Sequence, residues 1–179
     1  ASAYFREVLR LDPGWERAHG EFGAALALRG AFREAETSFR LALTLQPSSV
    51  RARKGLGQVY VDLGELDAAR KFLAEVVSMD PSDASVFSQL GALQSEPAEA
   101  EAMLQRAVDL NPLDAVSNHR LGIFWAEHGD LDAAEDSLQA AVAINPSSPA
   151  HYDIGVLHSS QGKVALALHA YRIAATLRP

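Results

Sequence analysis

Apolar residues return at intervals of three and four along successive short stretches of this chain, the spacing that gives an α-helix one buried face. Phe22, Ala25 and Leu26 form one such stripe, and Leu121, Ile123 and Trp125 another. Each stretch ends on glycine or proline. Gly30, Gly64, Gly129 and Gly162 close one set of stretches where a left-handed cap is needed, and a second amphipathic stretch follows each and runs to a proline. The pattern predicts pairs of antiparallel helices. Ser49, Asp83, Asp114, and Ser148 with Pro149, stand where the next helix needs an N-terminal cap.

The pairs repeat. Prolines preceded two positions earlier by an apolar residue occur at Pro13, Pro47, Pro81, Pro112, Pro146 and Pro179, at intervals of 34, 34, 31, 34 and 33 residues. About ten residues after the first five of these comes a glycine behind a large apolar residue: Gly23, Gly57, Gly91, Gly122 and Gly155, after Phe22, Leu56, Leu90, Leu121 and Ile154. Twelve residues before the closing proline stands an alanine, at Ala35, Ala69, Ala100, Ala134 and Ala167, and Ala1 stands likewise before Pro13. Four residues beyond the later five comes a bulky side chain (Phe39, Leu73, Leu104, Leu138, Tyr171), and three further a small one (Ala42, Val76, Ala107, Ala141, Ala174). A glycine inside a helix costs roughly 1 kcal/mol against alanine, so its recurrence at one repeat position implies an offsetting gain. Close packing supplies it: the glycine is expected to face the alanine of the second helix, letting bulkier neighbours interdigitate.

This constellation resembles the tetratricopeptide repeat along essentially the whole chain. The resemblance implies an all-α, right-handed superhelical solenoid of antiparallel helix pairs. It divides 1–179 as a single array: a lone second helix in 1–13, then repeats 14–47, 48–81, 82–112, 113–146 and 147–179. By the same similarity, first helices fall at about 15–29, 49–63, 83–95, 114–128 and 148–161. Second helices fall at about 1–11, 33–45, 66–79, 97–110, 131–144 and 164–177. The family's first-helix aromatic is mostly replaced, by His19, Arg53, Asn118 and His151, with Phe87 the exception. Repeat three lacks its turn glycine and three residues, with Ser95, Glu96 and Pro97 at the turn, so the array is expected to bend or tighten there. The residue missing between Pro146 and Gly155 is expected to shorten only a loop.

Solenoids of this family bind extended peptides or partner helices on the concave surface lined by first helices. Transferred position by position, the resemblance gives a peptide-binding groove of Arg17, Glu21, Arg51, Lys54, Gln58, Gln89, His119, Arg120 and Tyr152. Ala24, Leu28, Asp62, Ser85, Ser88, Ala92, Val116, Ile123, Glu127, Asp153 and Val156 accompany them. The surface is mixed, with a basic bias in its middle. The chaperone-binding subgroup holds a terminal carboxylate through Lys–Asn, Asn and Lys–Arg on successive first helices. The matching residues here are Lys54 and Gln58, Gln89, and Val116 with Arg120, so two cations survive and one is lost. Glutamine offers the same donors on a longer stem. The asparagine ladder of the sugar-transferase branch is absent, its place taken by Glu21, Gly55, Gln89, Arg120 and Asp153.

Composition narrows the chemistry. The 179 residues carry 48% hydrophobic and 22% charged side chains, enough for a real core. A net charge of −7 repels phosphate backbones, and nucleic acid is not expected as a partner, which with the Gly–Ala–Pro framework argues against the related RNA-reading helical repeats. Without cysteine there is no disulfide, thiolate metal site or cysteine nucleophile, and an oxidising or a reducing compartment fits equally, with cytoplasm the default. No apolar run reaches the roughly 20 residues of a membrane span. His19, His119, His128, His151, His158 and His169 contain no HExxH and no i, i+4 pair, and they read as partly buried packing residues. No phosphate-loop or nucleophile-elbow motif appears. Acidic neighbours such as Glu34 and Glu36, Glu99 and Glu101, or Glu135 and Asp136 read as solvated convex surface.

The sequence therefore predicts a noncatalytic protein–protein interaction scaffold binding a peptide or partner segment, with no metal and no cofactor. The alternative is a substrate-recruiting or assembly segment of a larger enzyme, such as a glycosyltransferase, or of a secretion machine. Ala1 falls inside a second helix and Pro179 closes one, so apolar faces are expected at both ends. Tyr4, Phe5, Val8 and Leu11 at one end, and Leu168, Tyr171, Ala175 and Leu177 at the other, would support end-to-end self-association.

Overall fold

The computed structural model describes residues 2–147 and 149–177, with side chains at all of these except 2, 3 and 6. Among the described residues there are eleven helices: α1 (Ser2–Leu11), α2 (Glu16–Ala27), α3 (Phe32–Leu45), α4 (Val50–Asp62), α5 (Leu66–Met79), α6 (Ala84–Gly91), α7 (Pro97–Leu110), α8 (Ala115–Glu127), α9 (Leu131–Ile144), α10 (Ala150–Ser160) and α11 (Val164–Leu177). The fold is all-α, as the repeat pattern requires. The chain forms two compact units, 1–82 and 83–179, divided next to the expected joint between the second and third repeats. In the first unit α2 packs on α3 and α4 on α5, and α3 is covered by α4. In the second, α6 packs on α7, α8 on α9 and α10 on α11, while α8 covers α7 and α10 covers α9.

The caps follow from side-chain chemistry. Ser49 Oγ accepts the Ala52 amide, Asp83 accepts that of Ser85, and Asp114 accepts those of Val116 and Ser117. Asp130, which the repeat pattern did not single out, caps α9 by accepting the Ala133 amide. The expectations placed on Ala1, Ser148 and Pro179 lie outside the described residues. Gly30, Gly64, Gly129 and Gly162 have φ of 75°, 74°, 86° and 72°, the left-handed conformation that an L side chain resists.

Buried alanines, Ala35, Ala69, Ala100, Ala134 and Ala167, let paired helices approach. The side chains nearest the repeated mid-helix glycines are the bulky ones four residues beyond these alanines. A Cβ on Gly57 would lie 2.6 Å from Leu73, on Gly91 2.8 Å from Leu104, on Gly122 2.7 Å from Leu138, on Gly155 2.5 Å from Tyr171 and on Gly23 3.0 Å from Phe39. The glycine is the floor on which the bulky side chain four residues beyond the alanine rests. That side chain needs the open backbone more than the alanine's methyl does.

Three of the four replacements for the family's aromatic have a shared role, while Arg53 pairs with Glu75. The side chains of His19, Asn118 and His151 bond the carbonyl oxygens of Pro13, Pro112 and Pro146, at 2.9, 3.1 and 3.1 Å, and so tie the start of each first helix to the loop before it. The three residues missing from repeat three come out of α6, which ends at Gly91, whereas α4 and α8 run five residues past their matching glycines. The loss in repeat five falls on a helix, not on a loop: α10 begins later after its proline than α4, α6 and α8 begin after theirs.

Two acidic residues are not solvated convex surface. Glu36 is half-buried between α3 and α4, where it accepts the Tyr60 hydroxyl at 2.7 Å and Arg40 Nε at 3.0 Å, with Arg33 at 3.2 Å. Glu135 lies 3.9 Å from His158 and 4.0 Å from Lys163. The Tyr60 hydroxyl, then Arg40 and Arg33, hold the Glu36 carboxyl below its ordinary value of 4.5 against the opposing effect of burial. A carboxylate depressed in the folded state stabilises it above the unfolded value, and this contribution is lost as pH falls through the folded one. The stability gap between the parent protein and Glu36→Gln should therefore be full at pH 7 and close as pH falls below about 4.5. Thermal melts of both at pH 7 and pH 3 measure it, and a gap that does not change with pH would show that Glu36 contributes nothing through its charge.

Candidate functional site

First helices also touch one another, α2 with α4 in the first unit, and α6 with α8 and α8 with α10 in the second. Their shared face carries the residues expected to bind a partner, unit by unit.

In the first unit Arg17 is exposed and lines a hollow of about 320 Å³ with Tyr4, Phe5, Val8, Trp15, Ala18 and Glu21. Arg51 of α4 pairs with Glu21 of α2, so the charge expected of Arg51 is compensated within the protein. Lys54 is half-buried on α4. Gln58 is exposed and donates to Asp62 one turn further on, at 3.1 Å.

In the second unit the basic position, Arg120, is half-buried. Arg120 of α8 donates through Nη1 to Ser88 Oγ of α6 at 3.0 Å and makes no ion pair among the described residues. Ser88, expected in the groove, is 1% exposed and serves as Arg120's support. Burial pushes the Arg120 pKa down, with Asp114 opposing. Gln89 keeps a buried Oε1 without a hydrogen-bond partner. His119 of α8 meets Asp153 of α10 through Nε2 at 2.6 Å. Tyr152 is 57% exposed, and its ring centroid lies 5.5 Å from that of Tyr171 at the edge of a hollow of about 490 Å³.

Two further hollows flank α8, bordered by Ala92, Arg120, Ile123, Glu127, Asp153 and Val156 of the expected groove. One of about 300 Å³ opens between the α6–α7 turn and α8, and one of about 310 Å³ between α8 and α10; Ile123 and Glu127 border both. The deletion in repeat three and these groove positions were the sequence signals of the first.

Not every histidine is core-side. His158 is 6% exposed and His19, His119 and His151 are half-buried, but His169 and most of His128 face solvent, His128 stacking on Phe124 with ring centroids 4.1 Å apart. Among the described residues no group of three His, Asp or Glu side chains stands together as a metal site would require. No helix among them is long and apolar enough to cross a membrane.

Two models of the tetratricopeptide repeat match the sequence, one over residues 26–93 and one over residues 94–149. The chain belongs to the tetratricopeptide repeat family. Its fold class is accordingly the family's α-α superhelix, and its coarse role is that of a protein-interaction scaffold. The peroxisomal targeting signal receptor of Saccharomyces cerevisiae is 36% identical over 75 residues, which cover 42% of this chain and only 12% of that receptor. Among solved structures, YrrB, described as a tetratricopeptide repeat protein with an unusual peptide-binding site, matches at a TM-score of 0.73. It is 24% identical, over 100% of this chain and 94% of its own. The Cut9–Hcn1 hetero-tetramer of APC/C matches at a TM-score of 0.90 and 20% identity, over 99% of this chain and 36% of its own. These structural likenesses speak for the fold.

Proposed function

We propose that this tetratricopeptide array is a noncatalytic scaffold that binds a peptide or partner segment on the face of its first helices, with α8 at the centre of the site in the second unit. The observation that carries the reading is the pair of hollows on either side of Ile123, next to a half-buried arginine that makes no ion pair among the described residues. A segment lying across α8 would bury apolar groups in both hollows and bring an acidic group to Arg120. Lys54 is the corresponding cation of the first unit. Nucleic acid is not a partner in this reading, because the net charge of −7 opposes it.

A pull-down from cell extract with the 179-residue array as bait tests the proposal. A captured segment should bind less tightly as salt rises and lose affinity in the Lys54→Ala, Arg120→Ala double variant, by about 1.5–3 kcal/mol for each well-desolvated charged bond removed. Unchanged affinity in that variant would refute the electrostatic part of the reading.

The recruitment role within a larger machine is favoured by one observation, that the matched segments make up 12% of the yeast receptor and 36% of the matched chain of the Cut9–Hcn1 assembly. A second contact belongs to the same proposal. Val164, Leu166 and Leu168 of α11 are 64%, 51% and 52% exposed, and Leu168 stands where the earlier hairpins carry Glu36, Arg70, Glu101 and Glu135. A second copy of the chain, meeting this apolar end of α11, would bury it. Sedimentation should then show association that rises with concentration and is abolished by Leu168→Glu, on the exposed face. A monomer up to millimolar concentration, unaffected by that change, would rule the contact out.

A further inference from the structure

The hollow beside α6 exists because this hairpin lacks the last turn of its first helix. In α4 and α8 that turn supplies Tyr60 and Trp125, three residues past the repeated glycine, whereas the equivalent place after Gly91 is Gln94, already in the turn toward α7. What remains is a hollow of about 300 Å³ with an apolar floor of Leu104, Ile123 and Phe124, Gln94 on its rim and Arg120 in its wall. Leu104 and Phe124 belong to one packed cluster, so the floor is preformed. This volume lies at the lower end of small-molecule pockets, which span roughly 300–1,000 Å³, and suits one large side chain.

Arg120 makes the hollow selective. Its guanidinium has five N–H donors, one of which goes to Ser88. The nearby Asp114 carboxylate is occupied in capping α8 through the Val116 and Ser117 amides and the Ser117 hydroxyl. A half-buried guanidinium with donors to spare, whose nearby carboxylate is committed to a helix cap, favours an incoming carboxylate, whose two oxygens can take two parallel N–H bonds. Glu127, on the same rim, is seven residues along α8, about 10.5 Å of helix rise, and faces solvent, so its repulsion of such a group is screened. The comparison with the terminal-carboxylate clamp names Arg120 but not the apolar hollow beside it, whose rim at Gln94 and Ser95 belongs to the shortened hairpin.

We infer that the hollow takes one aromatic or large aliphatic side chain of the partner segment, with an acidic residue beside it in the partner's sequence pairing with Arg120. The inference rests on the groove reading above and names the partner's chemistry: an acidic–apolar dipeptide inside a longer segment. The apolar side chain fills the space of the missing helical turn, and the neighbouring carboxylate supplies the direct ion pair that Arg120 does not make among the described residues.

Blocked tetrapeptides test this on the full 179-residue chain: acetyl-Gly-Asp-Phe-Gly-amide, its Asn-Phe counterpart and its Asp-Ala counterpart, titrated by NMR with the Arg120 Nε–Hε and Ile123 methyl signals as reporters. The Asp-Phe peptide should shift both signals and bind at least ten-fold tighter than either counterpart. Arg120→Gln should erase the preference for Asp over Asn. Gln94→Trp, which puts an indole over the hollow, should abolish binding, while Arg106→Gln, exposed on α7, should not affect it. Equal binding of the Asp and Asn peptides, equal binding of the Phe and Ala peptides, or undiminished binding to Gln94→Trp would each overturn the inference. If Arg120→Gln melts early in circular dichroism, the three peptides and Gln94→Trp still decide. The two readings also fail separately. A captured partner indifferent to Gln94→Trp would leave the groove standing without this pocket, and tetrapeptide binding with no captured partner would leave the pocket without the groove reading.

Discussion

Gly122→Leu is expected to lower the stability of the 83–179 unit by about 1–3 kcal/mol, the range found when methylenes are forced into a packed core. The position meets Leu138 at 2.7 Å from Cγ, 2.9 Å from Cδ2 and 3.1 Å from the backbone nitrogen. Leu138 is 1% exposed among Ala134, Ala141, Ala150 and Leu157, so it cannot swing aside without opening a void elsewhere. The backbone nitrogen cannot move without shifting α9. Leucine is the better helix former by up to about 1 kcal/mol, which offsets only part of this. For a chain of this size the net loss corresponds to a Tm lower by roughly 2–12 °C. Trp125, three residues away on α8, gives a fluorescence signal close to the change. Gly57→Leu, with Leu73 at 2.6 Å, should do the same in the first unit. Exposed Glu101 on α7 is the appropriate control, because Glu135 has neighbours in His158 and Lys163. A Gly122→Leu protein that melts with the parent would remove the packing role assigned to the glycines.

The order and ends of the helices were legible because proline and glycine act locally. A proline ends a helix through its own ring and a left-handed cap selects glycine through its own φ, so the residue carries the signal wherever the rest of the chain goes. Contacts between repeats are not local. That Arg51 is compensated by Glu21, thirty residues earlier, depends on the offset between α2 and α4, which the repeat period does not state. Whether Arg120 stands in solvent or under its neighbours depends on α6, and Ser88 and Arg120 occupy different repeat positions in different hairpins. The hollow beside α6 was visible in the sequence as a deletion and as groove positions, not as a cavity. A loss of three residues could have shortened the turn, α6 or α7, and the side chains that would then border the gap belong to α8. The side chain nearest each glycine was hidden in the same way: the residues recur at fixed positions, but which one covers the glycine depends on how far the bulky residue one turn beyond the alanine reaches across the helix pair.

One glycine outside the repeat pattern leads to a sharper test. A Cβ on Gly55 would lie 2.3 Å from Phe39 Cζ, and one on Gly23 would lie 3.0 Å from the same ring, so Phe39 is held between glycines of two successive first helices. In the second unit the bulky residues at this place are the shorter Leu104 and Leu138, and the places matching Gly55 hold Arg120 and Asp153. Phe5 has the same place in α1, but its ring is only half-buried and meets Tyr4 edge-on, so it makes no comparable demand on Glu21. Gly55→Gln alone should therefore destabilise the first unit by about 1–3 kcal/mol through overpacking. Phe39→Leu alone should cost on the order of 1 kcal/mol by leaving a void above Gly23 and Gly55. Together they should nearly restore the geometry of the other hairpins, leaving the double variant more stable than Gly55→Gln, with a coupling in the range of about 0.5–3 kcal/mol. Urea unfolding of the four proteins of this cycle provides the measurement. Strict additivity would mean that the ring of Phe39 does not fix the identity of residue 55, and that the glycine there answers to something other than the side chain lying against it.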